Sequence, residues 1–148
     1  MTSPALHLMA SYLTDRTQWV KVGSITSKWN IIRKGVPQGS IIGPLTFNLF
    51  INDIFDTVKD GKLINYADDN TVLVTGNDIN STIDKLQREC ENILKWVEAN
   101  EMEDNPQKFQ VLISKEENRI SIRCGNGNIT SEKSTKLLGV HLDINLGF

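Results

Sequence analysis

The stretch Lys62-Leu63-Ile64-Asn65-Tyr66-Ala67-Asp68-Asp69-Asn70-Thr71-Val72-Leu73-Val74-Thr75-Gly76 decides the fold. Two apolar runs, Leu63-Ile64 and Val72-Leu73-Val74, flank a short polar centre. Their β-branched content, with Gly61 and Gly76 at the ends, predicts a strand pair rather than a helix. The predicted turn carries Asp68 and Asp69, a residue type that tolerates turn dihedrals and bonds its own backbone. Successive side chains of a tight hairpin point to opposite faces. Adjacent acids there do not act as twins: one can face a cleft while the other faces away or sits at its rim.

Two acids at the tip of an apolar hairpin have two readings. Tips are solvated, and Asp is a common turn residue. Alternatively, Mg²⁺ takes hard oxygen ligands, keeps several waters, and is often held by one or two carboxylates plus substrate phosphates. Two such ions can clamp the attacking and leaving oxygens of a phosphoryl transfer. The pair alone does not decide between these readings, so the surrounding segments must.

Composition sets the frame. The chain has 148 residues, enough for one domain with a core, and its 39% hydrophobic and 23% charged residues are those of an ordinary soluble protein. No run approaches the length of a membrane span, and no charged-then-apolar leader opens the chain, so no membrane partner is expected and an intracellular location, nuclear or cytoplasmic, is. The two cysteines, Cys90 and Cys124, lack metal-site spacing. Cys90 reads as a small core residue on a helical face, in a reducing compartment. The net charge of −2 is unevenly spread. Residues 1–34 hold five basic side chains against Asp15, whereas 78–104 hold eight acids against Lys85, Arg88 and Lys95. That polarity suggests one face toward phosphates and another toward water.

Along the chain, 5–15 reads as a helix with Leu6, Met9 and Leu13 a turn apart. Gln18-Trp19-Val20-Lys21-Val22 and Lys28-Trp29-Asn30-Ile31-Ile32-Arg33 read as strands punctuated near Gly23-Ser24. Packing is the preferred role for Trp19 and Trp29, although the alternating basic residues suit a nucleic-acid backbone. Gly35-Val36-Pro37-Gln38-Gly39-Ser40-Ile41-Ile42-Gly43-Pro44 forms a rigid loop that other backbones can approach closely. Pro44 suits a first helical turn. Leu45, Phe47, Leu49, Phe50, Ile51 and Ile54 are apolar nearly all round, which predicts a largely buried helix. The clearest helix spans 78–101, with the stripe Ile79, Ile83, Leu86, Cys90, Ile93, Leu94 and Val97 and Asp78 as N-cap. Strands are predicted at 109–114 and 120–123. A turn needing positive φ is predicted at Gly125-Asn126-Gly127-Asn128, and a final strand at 136–143.

These residues match a family. The 35–44 loop, with Leu45-Thr46-Phe47-Asn48-Leu49-Phe50-Ile51-Asn52-Asp53-Ile54 after it, resembles the Gly-Val-Pro-Gln-Gly-Ser loop and helix of reverse transcriptases, most closely those of non-LTR retrotransposons. Tyr66-Ala67-Asp68-Asp69 resembles their catalytic hairpin. Asn105-Pro106-Gln107-Lys108 is similar to the Asn-x-x-Lys segment before their next palm strand, and Leu138-Gly139-Val140 to the primer-gripping hairpin. The motifs occur in the family's order over nearly the whole chain.

The resemblance implies an α+β, ferredoxin-like polymerase palm. Residues 1–34 would be a fingers- or palm-proximal helix and hairpin, 35–114 the palm, and 115–148 the primer-grip hairpin region with the start of the thumb connection. It implies an RNA-directed DNA polymerase with an RNA template, a DNA primer, a deoxynucleoside triphosphate and two Mg²⁺ ions in a complete domain. Asp68 would ligate the metal, Asp69 less directly. Tyr66 would sit near the primer 3′ end. Gln38, Gly39 and Ser40 would floor the templating base pair. Lys108 would serve the departing pyrophosphate, and Leu138, Gly139 and Val140 the primer backbone. Such catalysis is mostly positioning and charge neutralisation.

The departures are specific. The family's palm begins with a strand bearing another metal-binding Asp, and no such strand precedes the 35–44 loop. Phe55-Asp56-Thr57-Val58 imitates that motif in the wrong place. Asp104 stands where an apolar residue is usual, and Phe109 where Thr is common. A palm without its central strand is expected to expose sheet edges, through which copies could associate, and to lack activity on its own. The alternatives are a non-catalytic, retroelement-derived nucleic-acid binder and an inactive remnant in which Asp68 is only a turn residue.

Overall fold

Leu6, Met9 and Leu13 lie one turn apart on helix α1 (Ser3–Leu13) in the computed structural model, which describes residues 3–147. The chain divides into two compact units, Met1–Phe50 and Ile51–Phe148.

In the first unit the two expected strands form one long hairpin. Its outer ladder joins β1 (Thr17–Gln18) to β4 (Asn30–Ile31), and its inner ladder joins β2 (Lys21–Val22) to β3 (Ile25–Thr26). Gly23 turns the chain at φ +61°. The glycine-rich loop follows, then α2 (Gly43–Phe50), with Pro44 in its first turn as expected. Burial of this helix is not borne out. Only Gly43 is buried, while Leu45, Leu49 and Phe50 remain 56%, 53% and 46% exposed. An all-round apolar surface asks for covering layers on every side, and the described residues do not supply them. The apolar pattern continues past α2 as a 3₁₀ turn (Asn52–Thr57), where Ile51 and Ile54 are buried.

The second unit is built on the expected hairpin and long helix. Strands β5 (Gly61–Tyr66) and β6 (Asp69–Val74) pair in register from Gly61↔Val74 to Tyr66↔Asp69. Their alternation turns Leu63 and Val72 inward and leaves Ile64, Tyr66 and Leu73 outward. Helix α3 (Ile79–Ala99) packs on both strands and on the 52–57 turn. Asp78 caps it, its Oδ1 accepting the Ser81 N–H at 2.9 Å.

Beyond α3, Asn105 caps a short 3₁₀ turn (Pro106–Lys108). The strand expected at 109–114 is not formed. That segment makes a single parallel bridge, Leu112↔Glu132, plus the Glu132 N–H to Val111 carbonyl bond. Alternation marks a segment able to pair, but a ladder also needs a partner strand alongside it. Strands β7 (Ser121–Cys124) and β8 (Gly127–Thr130) form the expected hairpin, with Gly125 at φ +59°. The single strand expected at 136–143 is instead a hairpin, β9 (Ser134–Leu137) with β10 (Val140–Asp143). Leu138 and Gly139 make its turn at φ +48° and +90°. This bears out the hairpin that the family resemblance places there.

The five ladders stay separate as two-stranded sheets among the described residues. The architecture is mixed α and β with short sheets. Cys90 is not a lone core thiol: it pairs with Cys124, tying α3 to β7 across a Cα separation of 5.9 Å. Glu89 beside it is the most buried charged residue, 1% exposed. No described helix is long and apolar enough to cross a membrane.

Candidate active site

A two-residue turn, Ala67-Asp68, closes β5 on β6, so only Asp68 of the acidic pair lies in the turn. Asp69 opens β6 opposite Tyr66, rather than sharing the turn as the sequence suggested. Both acids are exposed, and Tyr66 is 67% exposed beside them. The turn requires φ +53° at Ala67, a left-handed value that a Cβ disfavours.

The tip is held by a pair of amides that sequence reading did not single out. Asn65 Nδ2 donates to the Ala67 carbonyl at 2.8 Å and to Asn70 Oδ1 at 2.9 Å. Asn65 and Asn70 are themselves a cross-strand pair on the inward face. Their side chains thus brace the turn from beneath, which leaves Tyr66 and Asp69 on the opposite face. The signal was present in Asn-Tyr-Ala-Asp-Asp-Asn, where symmetric amides flank the turn.

Two adjacent exposed carboxylates are hard oxygen donors with open coordination space. They suit Mg²⁺ bound through waters and substrate phosphates. No cluster of three or more His, Cys, Asp or Glu side chains able to hold a metal occurs among the described residues. Asp68 and Asp69 are the two carboxylates that this tip offers.

The structure gathers Tyr66, Asp68 and Asp69 at one tip. Lys108, in the same unit, is exposed at the end of its 3₁₀ turn and makes no hydrogen bond or ion pair to that tip. Leu138 and Val140, 54% and 48% exposed around Gly139, likewise make none. A cavity of about 410 Å³ lined by Thr75, Asp78, Ser81 and Lys85 lies at the far end of the hairpin from Asp68.

Gln38, Gly39 and Ser40 lie in the other unit. Gln38 and Gly39 are exposed, and Gly39 turns at φ +79° with open space around it. Ser40 is half-buried and does structural work: its Oγ donates to the Pro37 carbonyl at 2.8 Å and accepts the Gly43 N–H at 3.0 Å. The Tyr12 hydroxyl bonds the same Oγ, and Arg16 Nη2 donates to the Gly35 carbonyl. Tyr12 and Arg16 are contacts that the sequence did not reveal. Gly43 is buried, and a Cβ there would come within 2.7 Å of Ser40 Oγ and 3.2 Å of the Pro37 carbonyl, so the site excludes a side chain.

Comparison with known proteins supplies the family. Residues 2–142 match the model for reverse transcriptase (RNA-dependent DNA polymerase). The chain is 32% identical over 113 residues to the probable RNA-directed DNA polymerase from transposon BS of Drosophila melanogaster, covering 72% of this chain and 12% of that protein. It is 31% identical over 157 residues to the RNA-directed DNA polymerase from mobile element jockey of the same organism, covering 98% of this chain and 17% of that protein. A Pol polyprotein from type-1 retrotransposable element R1 of Nasonia vitripennis is 27% identical over 77% of this chain and 37% of its own length. No solved structure matches the chain. The 2–142 match takes in the glycine-rich loop, the acidic hairpin and nearly all of the final hairpin, and the chain belongs to the reverse transcriptase family, among the domains of non-LTR retrotransposons.

Proposed function

We propose that this chain supplies the catalytic hairpin of an RNA-directed DNA polymerase acting on an RNA template, a DNA primer and a deoxynucleoside triphosphate. One observation carries the reading: Tyr66-Ala67-Asp68-Asp69 forms a braced two-residue turn with both carboxylates exposed. In the reaction the primer 3′ oxygen bonds to the α-phosphorus of the incoming nucleotide. The bond from that phosphorus to the bridging oxygen breaks, pyrophosphate leaves, and the hydroxyl proton passes to solvent or a nearby base. Asp68 and Asp69 would hold Mg²⁺, which when bound neutralises the triphosphate and activates the attacking oxygen. Tyr66, on the same face as Asp69, would rest against the primer end. Lys108 would add positive charge toward pyrophosphate. Gln38 and Gly39 would carry the base pair on exposed backbone, while Ser40 holds the loop's shape.

The test is a chimera in which residues 2–142 replace the matching segment of the jockey polymerase. Primer extension on an RNA template with Mg²⁺ is expected, and Asp68→Asn is expected to abolish it while leaving binding of an RNA–DNA hybrid intact. A folded chimera that binds the hybrid without extending it would instead favour the non-catalytic reading.

A further inference from the structure

The hairpin of the first unit has a break in its ladder that places two tryptophans together. Between Gln18↔Asn30 and Lys21↔Thr26, the pair Trp19-Val20 faces the three residues Ser27-Lys28-Trp29. One extra residue on one side is a β-bulge, which bends the strand and re-aims side chains. Ser27 sets it: its N–H donates to the Val20 carbonyl at 2.8 Å, and its Oγ accepts the Val20 N–H at 2.9 Å. The two indoles meet edge to face, with centroids 5.9 Å apart at 65°.

This pair is not core. Trp19 is 42% and Trp29 65% exposed. A T-shaped pair covers one face of one ring and one edge of the other, and leaves the remaining ring faces open. Cations flank both tryptophans in the chain. Lys21 lies two residues after Trp19, at the start of β2, and Lys28 precedes Trp29 within the bulge. Arg33 follows β4, and Lys21, Lys28 and Arg33 form no ion pair among the described residues. From Arg16 to Asn52 the chain holds five Lys or Arg and no Asp or Glu, although its overall charge is −2. A packing surface has no need of that segregation, whereas a polyanion with stackable bases matches it.

We propose that the Trp19–Trp29 bulge is a binding site for single-stranded nucleic acid, with bases stacked on the indoles and phosphates on Lys21, Lys28 and Arg33. A single strand is required because only unpaired bases offer both faces to an aromatic ring. The site needs neither Asp68 nor Mg²⁺, so it stands apart from the catalytic reading.

Trp96→Phe leaves the two hairpin indoles as the fluorescent reporters. This variant of the full chain is titrated with oligothymidylate, oligouridylate and an abasic oligomer, each of roughly 20 nucleotides, at about 50 mM salt. The base-bearing strands are expected to quench the indoles, the abasic one to bind about tenfold more weakly, and log affinity to fall with log salt at a slope of about −2. Tighter binding of uridylate would assign the site to an RNA strand, and of thymidylate to a DNA strand. Lys21→Glu with Lys28→Glu should weaken binding about tenfold or more and flatten the salt slope. Trp19→Leu with Trp29→Leu should erase the preference over the abasic strand, with binding followed by anisotropy of labelled oligomer. Asp68→Asn should bind as the parent does. Circular dichroism melts confirm that each variant is folded. Absence of quenching at low salt, equal affinity for the abasic strand, or indifference to the lysine substitutions would overturn the proposal.

Discussion

The Glu89 carboxylate accepts the backbone N–H of Lys59 on both oxygens, at 3.0 and 3.1 Å, from a position 30 residues later in the chain. It also takes the N–H of Asp60, whose carboxylate meets Arg88 at 3.3 Å on the surface. A buried acid on α3 thereby fixes the turn that launches β5, the strand that ends at the acidic tip. Exposed ion pairs such as Arg88–Asp60 contribute little, so Glu89 is the stronger anchor.

Glu89→Ala should therefore cost about 2–4 kcal/mol, because two backbone N–H groups lose their acceptor and a void remains around a buried side chain. Glu89→Gln keeps one acceptor oxygen and should cost roughly half as much. Urea unfolding of the chain measures both. A loss under about 0.5 kcal/mol for Glu89→Ala would show that the turn is held by something else.

Ala67 and Leu138 hold left-handed backbone at the first position of their turns, φ +53° and +48°. Such a conformation costs a non-glycine residue roughly 1–2 kcal/mol. Glycine removes that cost but adds freedom to the unfolded chain, worth about 0.4–1 kcal/mol. Ala67→Gly and Leu138→Gly should each stabilise the chain by a net of about 0.5–1 kcal/mol, read from the midpoint of the same urea curves. Destabilisation by Ala67→Gly would mean that the alanine methyl makes a contact outweighing its backbone strain.

The elements that could be read from sequence were those whose pattern is local. The β5–β6 hairpin shows paired apolar runs around a turn, and α3 shows a long stripe behind an Asp cap; both formed within a residue or two of expectation. Tyr66, Asp68 and Asp69 were legible as a group because one hairpin tip carries them all. What failed depended on neighbours. The composition of α2 records how much apolar surface it has, not what covers it. The 109–114 segment alternates without a strand to pair with. Leu137-Leu138-Gly139-Val140 looks continuous until Leu138 turns left-handed. Glu89 was counted with the solvated acids, yet it stands three residues after Leu86 and four before Ile93. That spacing puts it on the inward stripe, and its partners are backbone groups, which no side-chain pattern reveals. The pairing of Cys90 with Cys124 is likewise a contact between elements far apart in sequence.

The α3 cap gives a pH signature. The Ser81 hydroxyl, and then the Ser81 backbone N–H, bond the Asp78 carboxylate and hold it below its ordinary value of 3.8. A carboxyl lowered on folding contributes stability above its unfolded value, and that contribution is lost as pH falls through the folded value. The parent should thus lose helix stability as pH drops below about 4. Asp78→Asn keeps a capping oxygen without the titration, so its melting temperature should fall less between neutral and acidic pH. Ser81→Ala removes the principal cause of the lowering and should shift the loss to higher pH. Thermal melts across acidic pH read all three, and identical profiles for parent and Asp78→Asn would refute the assignment.

The acidic tip makes its two carboxylates unequal. Asp68 sits in the turn with no ladder partner, whereas Asp69 is anchored in register with Tyr66. An ion shared with substrate phosphates would draw most of its protein ligation from the acid at the apex, with Asp69 supporting from the strand. In the chimeric polymerase, Asp68→Asn should cut primer extension at least about a thousandfold, on the scale of losing a main stabiliser of transition-state charge, and Asp69→Asn by a smaller factor. Isothermal titration with Mg²⁺ in the presence of hybrid and nucleotide supplies a readout independent of turnover: Asp68→Asn should lose the binding heat and Asp69→Asn should weaken it. Equal losses for the two variants would mean that strand anchoring does not separate their roles. Unchanged magnesium binding in both would remove the acids from the metal site and leave them as turn residues.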